Sequence, residues 1–334
     1  MKMFRKKEEV KKTELEKVEE RREEVLAAGR KFKYPLQWTK HRVVVNTILI
    51  AVAMMAILVV FGWLALYRLQ MTDEILYRVT RILPVSVAEV DGEDVLFADY
   101  LMFYRSSILS IERQSGQADS EESARELQLQ YKRAALDEAE KYAYAMKMAK
   151  ELNIEISNDE IANEFERHRQ VGGIDRSEEG FLKILKDNFG MNKSEYERML
   201  KLTLTKAKVE AEINTEANKI AAQVEKILAE NGGDFEDAAD ELGDKVKDEE
   251  TGGLVDGRNV DGGRASAAMK LNKGEMSGRF VSMNGDGYYF VKLIEKTNAE
   301  VNFVSIKVPF TEFTKKFAEL TDAQKIREFI TFEE

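Results

Sequence analysis

The sequence predicts an α+β protein preceded by one transmembrane helix near its N-terminus. Three observations predict it. Val43–Tyr67 is a run of 25 residues without a charge. Residues 85–231 carry apolar residues at helical spacing, broken by short polar turns. Residues 232–297 turn glycine-rich and alternate short helical and strand-like patterns.

The uncharged run is the clearest element. Hydrocarbon offers a backbone amide no partner, so a spanning chain satisfies its hydrogen bonds within a helix. About 20 apolar residues cover the roughly 30 Å core of a bilayer. Asn46 is the one strongly polar side chain, and Trp63 and Tyr67 suit the far interface. A buried core helix rarely stays apolar on every face for this length. A cleaved signal has a shorter apolar region followed by small residues, whereas Arg68-Leu69-Gln70-Met71 follows here.

Flanking charge sets the expected orientation. Residues 1–42 hold 14 Lys or Arg against 8 Asp or Glu, with Arg30, Lys31, Lys33, Lys40 and Arg42 crowding the start of the span. Basic flanks favour the cytoplasmic side. The expectation is a cytoplasmic N-terminus, a single pass through the cell membrane, and extracytoplasmic C-terminal domains. The basic cluster either touches anionic head groups or only sets topology. Glu8–Leu26 alternates acid and base at helical spacing and reads equally as a solvated helix or as disorder.

Composition excludes several functions. Residues 43–334 are net acidic, with 37 basic and 53 acidic residues, which gives no electrostatic reason to bind nucleic acid. The chain has no cysteine and two histidines, His41 and His168. A disulfide framework, a thiol nucleophile and a histidine-rich zinc site are therefore not expected, and neither is a cofactor. His168, between Arg167 and Arg169, is expected to be exposed. The paired glycines at 232–233, 252–253 and 262–263 lack the Lys-Ser/Thr end of a phosphate loop. Asp237, Asp240, Asp244 and Asp248 read as a solvated acidic face.

Residues 68–84 read as a stalk. Val85–Val90 then reads as a strand that turns at Asp91-Gly92 and returns through Asp94-Val95-Leu96. Ala98–Ile111 and Glu121–Leu152 carry helical stripes. Ser157 with Glu160 has capping-box spacing for a helix to about Arg169, after which Gly172-Gly173 breaks the chain. Further helices are predicted from Ser177 to Phe189, from Asn192 or Ser194 to about Ile213, and from Thr215 to Glu230. Strands are expected at Phe280-Val281-Ser282, Tyr288–Leu293 and Val301–Val308. Phe310–Phe332 reads as one or two helices.

Four segments in order resemble a parvulin-type (PpiC-like) prolyl isomerase module. They are Gly233-Asp234-Phe235-Glu236-Asp237-Ala238-Ala239, Gly252-Gly253-Leu254, Ala267–Ser277 and Gly287–Leu293. Upstream, Val87–Val95 followed by Leu96-Phe97-Ala98-Asp99-Tyr100-Leu101 is similar to the start of the helical chaperone domain of SurA-like and PrsA-like extracytoplasmic foldases. The resemblance covers about 85–308. It implies a SurA-N-like helical chaperone domain (85–231) and a parvulin-like domain (232–308), to which the residue patterns add a cytoplasmic charged tail (1–42), the span (43–67), a stalk (68–84) and a C-terminal helical tail (309–334).

The sequence departs from the isomerase pattern. Where the family places histidines on its first and last strands, this chain has Ser305 and Tyr289. Arg264 falls near the position of a wall phenylalanine. No strand precedes Thr215–Glu230, yet Val301–Val308 resembles the family's first strand. Two readings remain open: a circularly permuted module in which this strand completes the sheet centre, or the start of a truncated second module.

The resemblance implies candidate catalytic residues Tyr289, Ser305 and Met269, with Tyr289 and Ser305 hydrogen-bonded across adjacent strands. Tyr100, Phe103 and Tyr104 are candidate substrate-binding residues. The expected function is a membrane-anchored extracytoplasmic chaperone or foldase. It would bind unfolded or partly folded exported polypeptides, with the lipid bilayer as its other partner and a weak or inactive isomerase module. The alternatives are an active peptidyl-prolyl cis-trans isomerase and a non-catalytic scaffold subunit of a membrane complex. The sequence fixes no oligomeric state.

Overall fold

The computed structural model describes residues 16–29, 35–115, 121–170, 174–259 and 261–332. The start of the charged tail, Arg30, the side chains of Lys31, Lys33, Lys40 and His41, and Gly172-Gly173 lie outside the described residues. The chain divides into two compact units, Met1–Leu69 and Gln70–Glu334.

In the first unit, helix α1 (16–29) realises the helical reading of the tail. Helix α2 (Pro35–Trp63) continues into a π-helical turn at Leu64–Arg68. The segment Arg42–Arg68 is long and apolar enough to cross a bilayer. Residues 43–60 are exposed on every face, unlike a helix serving a protein core. The Thr47 hydroxyl donates to the Val43 carbonyl at 2.8 Å, so this polar group is satisfied within the helix.

The second unit begins within the expected stalk, which is not unstructured. The expected stalk contains helix α3 (Glu74–Ile82), capped by Asp73, whose carboxylate accepts from the amides of Ile75 and Leu76. Tyr77 and Thr80 on one face of α3 are buried, and Arg81 donates to Glu195 at 2.8 Å. Strands β1 (Ser86–Val90) and β2 (Glu93–Leu96) form the expected hairpin. Its turn places both Asp91 and Gly92 at positive φ, 49° and 86°, the backbone that an Asp-Gly pair accepts readily.

Five helices build the rest of this half: α4 (Phe97–Ser115), α5 (Glu121–Leu152), α6 (Asn158–Arg169), α7 (Glu178–Phe189) and α8 (Lys193–Ile213). Their starts follow local chemistry. Ser157 with Glu160, and Asn192 with Glu195, form capping boxes, and Ser177 accepts from the Gly180 amide. Helix α5 packs on α4 and α8 through buried residues such as Leu136, Ala139 and Ala145.

At Asn214 the chain leaves the helical half, and it returns at Phe310. Asn214 is buried and holds both strands of that crossing. Its amide nitrogen donates to the Glu210 carbonyl at 2.6 Å, and its oxygen accepts from the amides of Thr311 and Glu312 at 3.0 Å each. One side chain thus ties the end of α8 to the start of helix α12 (Glu312–Asp322).

The expected helical tail is helical only as far as Asp322. Beyond α12 it forms a strand, β8 (Ile326–Glu328), antiparallel to β1, which becomes the centre of a three-stranded sheet. Ile330 follows and is 1% exposed. A hairpin leaves an unpaired edge, and β8 covers it. The C-terminal segment is therefore part of the helical half, and the sheet-bearing module is an insertion within it.

That module runs through α9 (Thr215–Glu230), α10 (Phe235–Leu242), β3 (Lys247–Glu250), β4 (Val255–Asp256), α11 (Arg264–Ala268), β5 (Phe280–Val281), β6 (Gly287–Lys296) and β7 (Glu300–Pro309). The strand order is β3-β7-β6-β5, with β4 also on β7. Strand β7 pairs with β6 from Gly287↔Pro309 to Lys296↔Val301. Val301–Val308 therefore completes the centre of this sheet, the pairing that the permuted reading requires, and does not begin a second module. One sheet face packs Phe290, Ile306 and Val308 against α9 and α10. The other packs Val291, Leu293 and Phe303 against Ala265 and Ala268 of α11.

Candidate functional site

Period-two alternation along β6 and β7 places Tyr289, Ser305 and Lys307 on the α11 face, with Tyr289 opposite Lys307 and Val291 opposite Ser305. Tyr289 is 4% exposed and Ser305 1%. They do not bond to each other as expected. The Tyr289 hydroxyl donates to Asp286 at 3.5 Å, and the Ser305 hydroxyl donates to the Glu249 carbonyl at 3.3 Å.

Arg264 closes the space between them. Its guanidinium lies 5.1 Å from the Tyr289 ring centroid, reaches the Ser305 hydroxyl at 3.4 Å and pairs with Glu249. Its Nε donates to the Asp261 carbonyl at 2.9 Å, which fixes the arm. Lys307 stands 5.6 Å from the same ring and pairs with Asp286, while Phe280 stacks on it at 6.1 Å. Burial, and then the Asp286 carboxylate, push the Tyr289 phenol upward, so it stays a neutral donor. Met269 stands apart from this cluster, half-buried and packed on the α11 core beside Gly257.

Prolyl isomerisation breaks no covalent bond; its barrier of about 18–20 kcal/mol is lost amide resonance. Catalysis needs a dry pocket that favours the twisted amide. Two cations and their carboxylate partners occupy the face where such a pocket would form.

The helical half carries a different opening. A cavity of about 350 Å³ lies between α7 and α8, with Ser106 of α4 and His168 of α6 at its edge. Its walls are Phe181, Ile184, Leu185, Phe189, Met191, Tyr196 and Met199. Phe165, Phe181 and Tyr196 pack edge to face at 5.4–6.0 Å, and Phe181 and Tyr196 of this cluster form the aromatic floor. Ile184 and Phe189 are each 37% exposed, so apolar surface stays open at the mouth. Met191 is buried and Met199 half-buried, and thioether side chains adapt to varied shapes.

His168 is not the free surface residue expected. Its ring meets the Tyr196 hydroxyl and, at 3.1 Å, the Glu164 carboxylate, at the cavity's edge. Burial pushes the Tyr196 phenol up to about 12. Gly190 closes α7 at φ 66° and turns the chain toward α8, whose Tyr196 and Met199 also line the cavity.

The residues singled out as substrate-binding lie elsewhere. Tyr100 and Tyr104 are buried and stack on each other at 6.5 Å, and Phe103 is half-buried against Tyr142 at 5.3 Å. They hold α4 to its neighbours. Phe181, Ile184 and Phe189 escaped the sequence reading because their spacing is that of any core stripe. The signal that separates them is that, among the described residues, no element covers Ile184 and Phe189, each 37% exposed.

Comparison with protein families gives the frame. Residues 36–210 match the model of the SurA-like N-terminal domain, which is more than half of the chain. The chain belongs to the SurA-like family. Residues 190–307 of this SurA-like chain match the PPIC-type PPIASE domain, a span that ends within β7. No curated protein matches the chain. Together the two matches make it a chaperone or foldase of the parvulin type. SurA-like chaperones bind unfolded polypeptides, and the helical half is the part that carries that resemblance.

Proposed function

We propose that this SurA-like protein is a membrane-anchored extracytoplasmic chaperone that holds non-native exported chains in the α7–α8 groove. Its parvulin-like module is weak or inactive as an isomerase. The working halves are residues 70–213 with 310–332, which carry the groove, and the inserted residues 214–309. The carrying observation is the contrast between the two openings. The groove offers exposed Ile184 and Phe189 over an aromatic floor, while Arg264 and Lys307 fill the face beside Tyr289 and Ser305. An apolar cavity with few polar groups accepts many sequences, because burial of apolar area is not directional. A proline ring beside Tyr289 would have to displace two paired cations.

The span Arg42–Arg68 anchors the chain, and its basic N-terminal flank keeps the tail in the cytoplasm. Tyr289, Ser305 and Met269 then serve as structural residues of the sheet and its α11 core.

Full-length protein in detergent micelles tests this reading. It should suppress aggregation of a chemically unfolded client at near-stoichiometric ratio. It should leave the isomerisation rate of a proline tetrapeptide within twofold of the micelle control. A rate enhancement of tenfold or more would establish an active isomerase instead. Failure to suppress aggregation, with one stoichiometric membrane partner recovered, would favour a scaffold.

A further inference from the structure

Helix α3 buries one face and leaves the other bare. Ile75, Val79 and Ile82 lie at i, i+4 and i+7, within roughly 60° of one another around the helix axis. They are 77%, 44% and 81% exposed. The opposite face, with Tyr77 and Thr80, is buried. A nine-residue helix already packed on one side gains nothing in water from large apolar residues on its other side.

We propose that this outer stripe of α3 seats in the head-group layer of the bilayer that the preceding helix crosses. The proposal rests on the transmembrane reading above. Three observations select lipid as the occupant. The first is reach: only the five residues Leu69–Asp73 separate Arg68 from Glu74, and five extended residues cover at most about 18 Å. The start of α3 therefore stays within about that distance of the end of the span, and Ile82 lies about 12 Å further along the helix. The second is the composition of the connection, in which Leu69 and Met71 are apolar and exposed, 57% and 39%.

The third observation is charge. Arg78, whose side chain is 72% exposed, flanks the stripe one turn from Ile82 and pairs with Glu74. An apolar stripe bordered by arginine fits the boundary between acyl chains and phosphates. The buried face ties α3 to the foldase through Tyr77 and the Arg81–Glu195 pair. Seating the stripe would thus fix the height and tilt of the client-binding half over the membrane.

The natural sequence has no cysteine, so a single introduced cysteine can carry one fluorophore. Full-length Ile82→Cys, Val59→Cys and Lys316→Cys proteins are labelled with an environment-sensitive nitrobenzoxadiazole probe. They are reconstituted in lipid nanodiscs whose acyl chains carry a nitroxide near the head group. The probe at 82 should be blue-shifted and quenched at least threefold more than the one at 316, with the probe at 59 also quenched. Quenching at 59 but not at 82 would overturn the stripe and leave the anchor standing. No quenching at 59 would overturn the anchor and the stripe with it. A blue shift at 82 without lipid quenching would mean that protein, such as a second copy, covers the stripe, and would also overturn the proposal.

Discussion

Replacing both Ile184 and Phe189 by Asp is expected to weaken client binding roughly 30- to 100-fold while leaving the fold intact. Full burial of one such side chain is worth about 1.5–3 kcal/mol. Both residues are already partly covered in the free protein, so a client gains only part of that from each. A combined loss of about 2–3 kcal/mol gives the stated factor at about 1.4 kcal/mol per tenfold. The fold should tolerate the change because a carboxylate at either site can stay in water. Replacing Phe181 would not test the idea, since Phe181 is buried in the floor and its loss would unfold the site. The measurement is the dissociation constant for a permanently unfolded, fluorescently labelled client, with far-ultraviolet circular dichroism as the control. An unchanged constant would place the client elsewhere.

The second large effect concerns the C-terminal segment. Ile330→Ala should destabilise the protein by about 3 kcal/mol, as large-to-small changes in a closed core typically do. Ile330 is almost fully buried beyond β8, and the Phe329 amide donates to the Val87 carbonyl at 2.9 Å. If the tail were a dispensable appendage, the change would cost less than about 0.5 kcal/mol, the usual range for surface sites. Urea unfolding of the full chain in micelles separates the two. The same junction makes stability depend on pH. Glu140 on α5 is 2% exposed beneath α12 and β8, and burial, followed by Glu328 and Asp137, pushes its carboxyl from about 4.5 to about 8. A carboxyl whose folded value is raised favours folding fully below its unfolded value. That contribution is lost as pH rises from about 4.5 through about 8. Glu140→Gln should flatten this dependence and leave the variant more stable than the parent at pH 8.

Local chemistry was legible in the sequence wherever the deciding atoms lie close along the chain. The Ser157 capping box, the Asp91-Gly92 turn and the alternation of Val301–Val308 each act within a few residues, and each appears where the spacing puts it. Strand β8 was not legible, because three residues become a strand only when β1 offers an edge. Helix α3 reads as a stalk in the sequence, because Ile75, Val79 and Ile82 form an exposed stripe that a core-facing pattern would not contain. Tyr100 and Tyr104 of α4, candidate groove residues by sequence, are buried and Phe103 is half-buried, while Ile184 and Phe189, which no sequence signal marks, are each 37% exposed. Burial is a property of neighbours, and one helix's periodicity cannot tell a covered stripe from a bare one. The replaced histidines were visible at once, but only the fold brings Arg264 across Tyr289 to Glu249.

The most direct measurement is site-specific photo-cross-linking with a benzophenone side chain in the full-length protein. The probe is placed in turn at Ile184, at Met283 beside the isomerase-like face, and at exposed Lys316. A client held unfolded should form adducts at 184 several-fold above those at 283 and 316. Adducts concentrated at 283, or equal yields at all three positions, would contradict a groove-based chaperone.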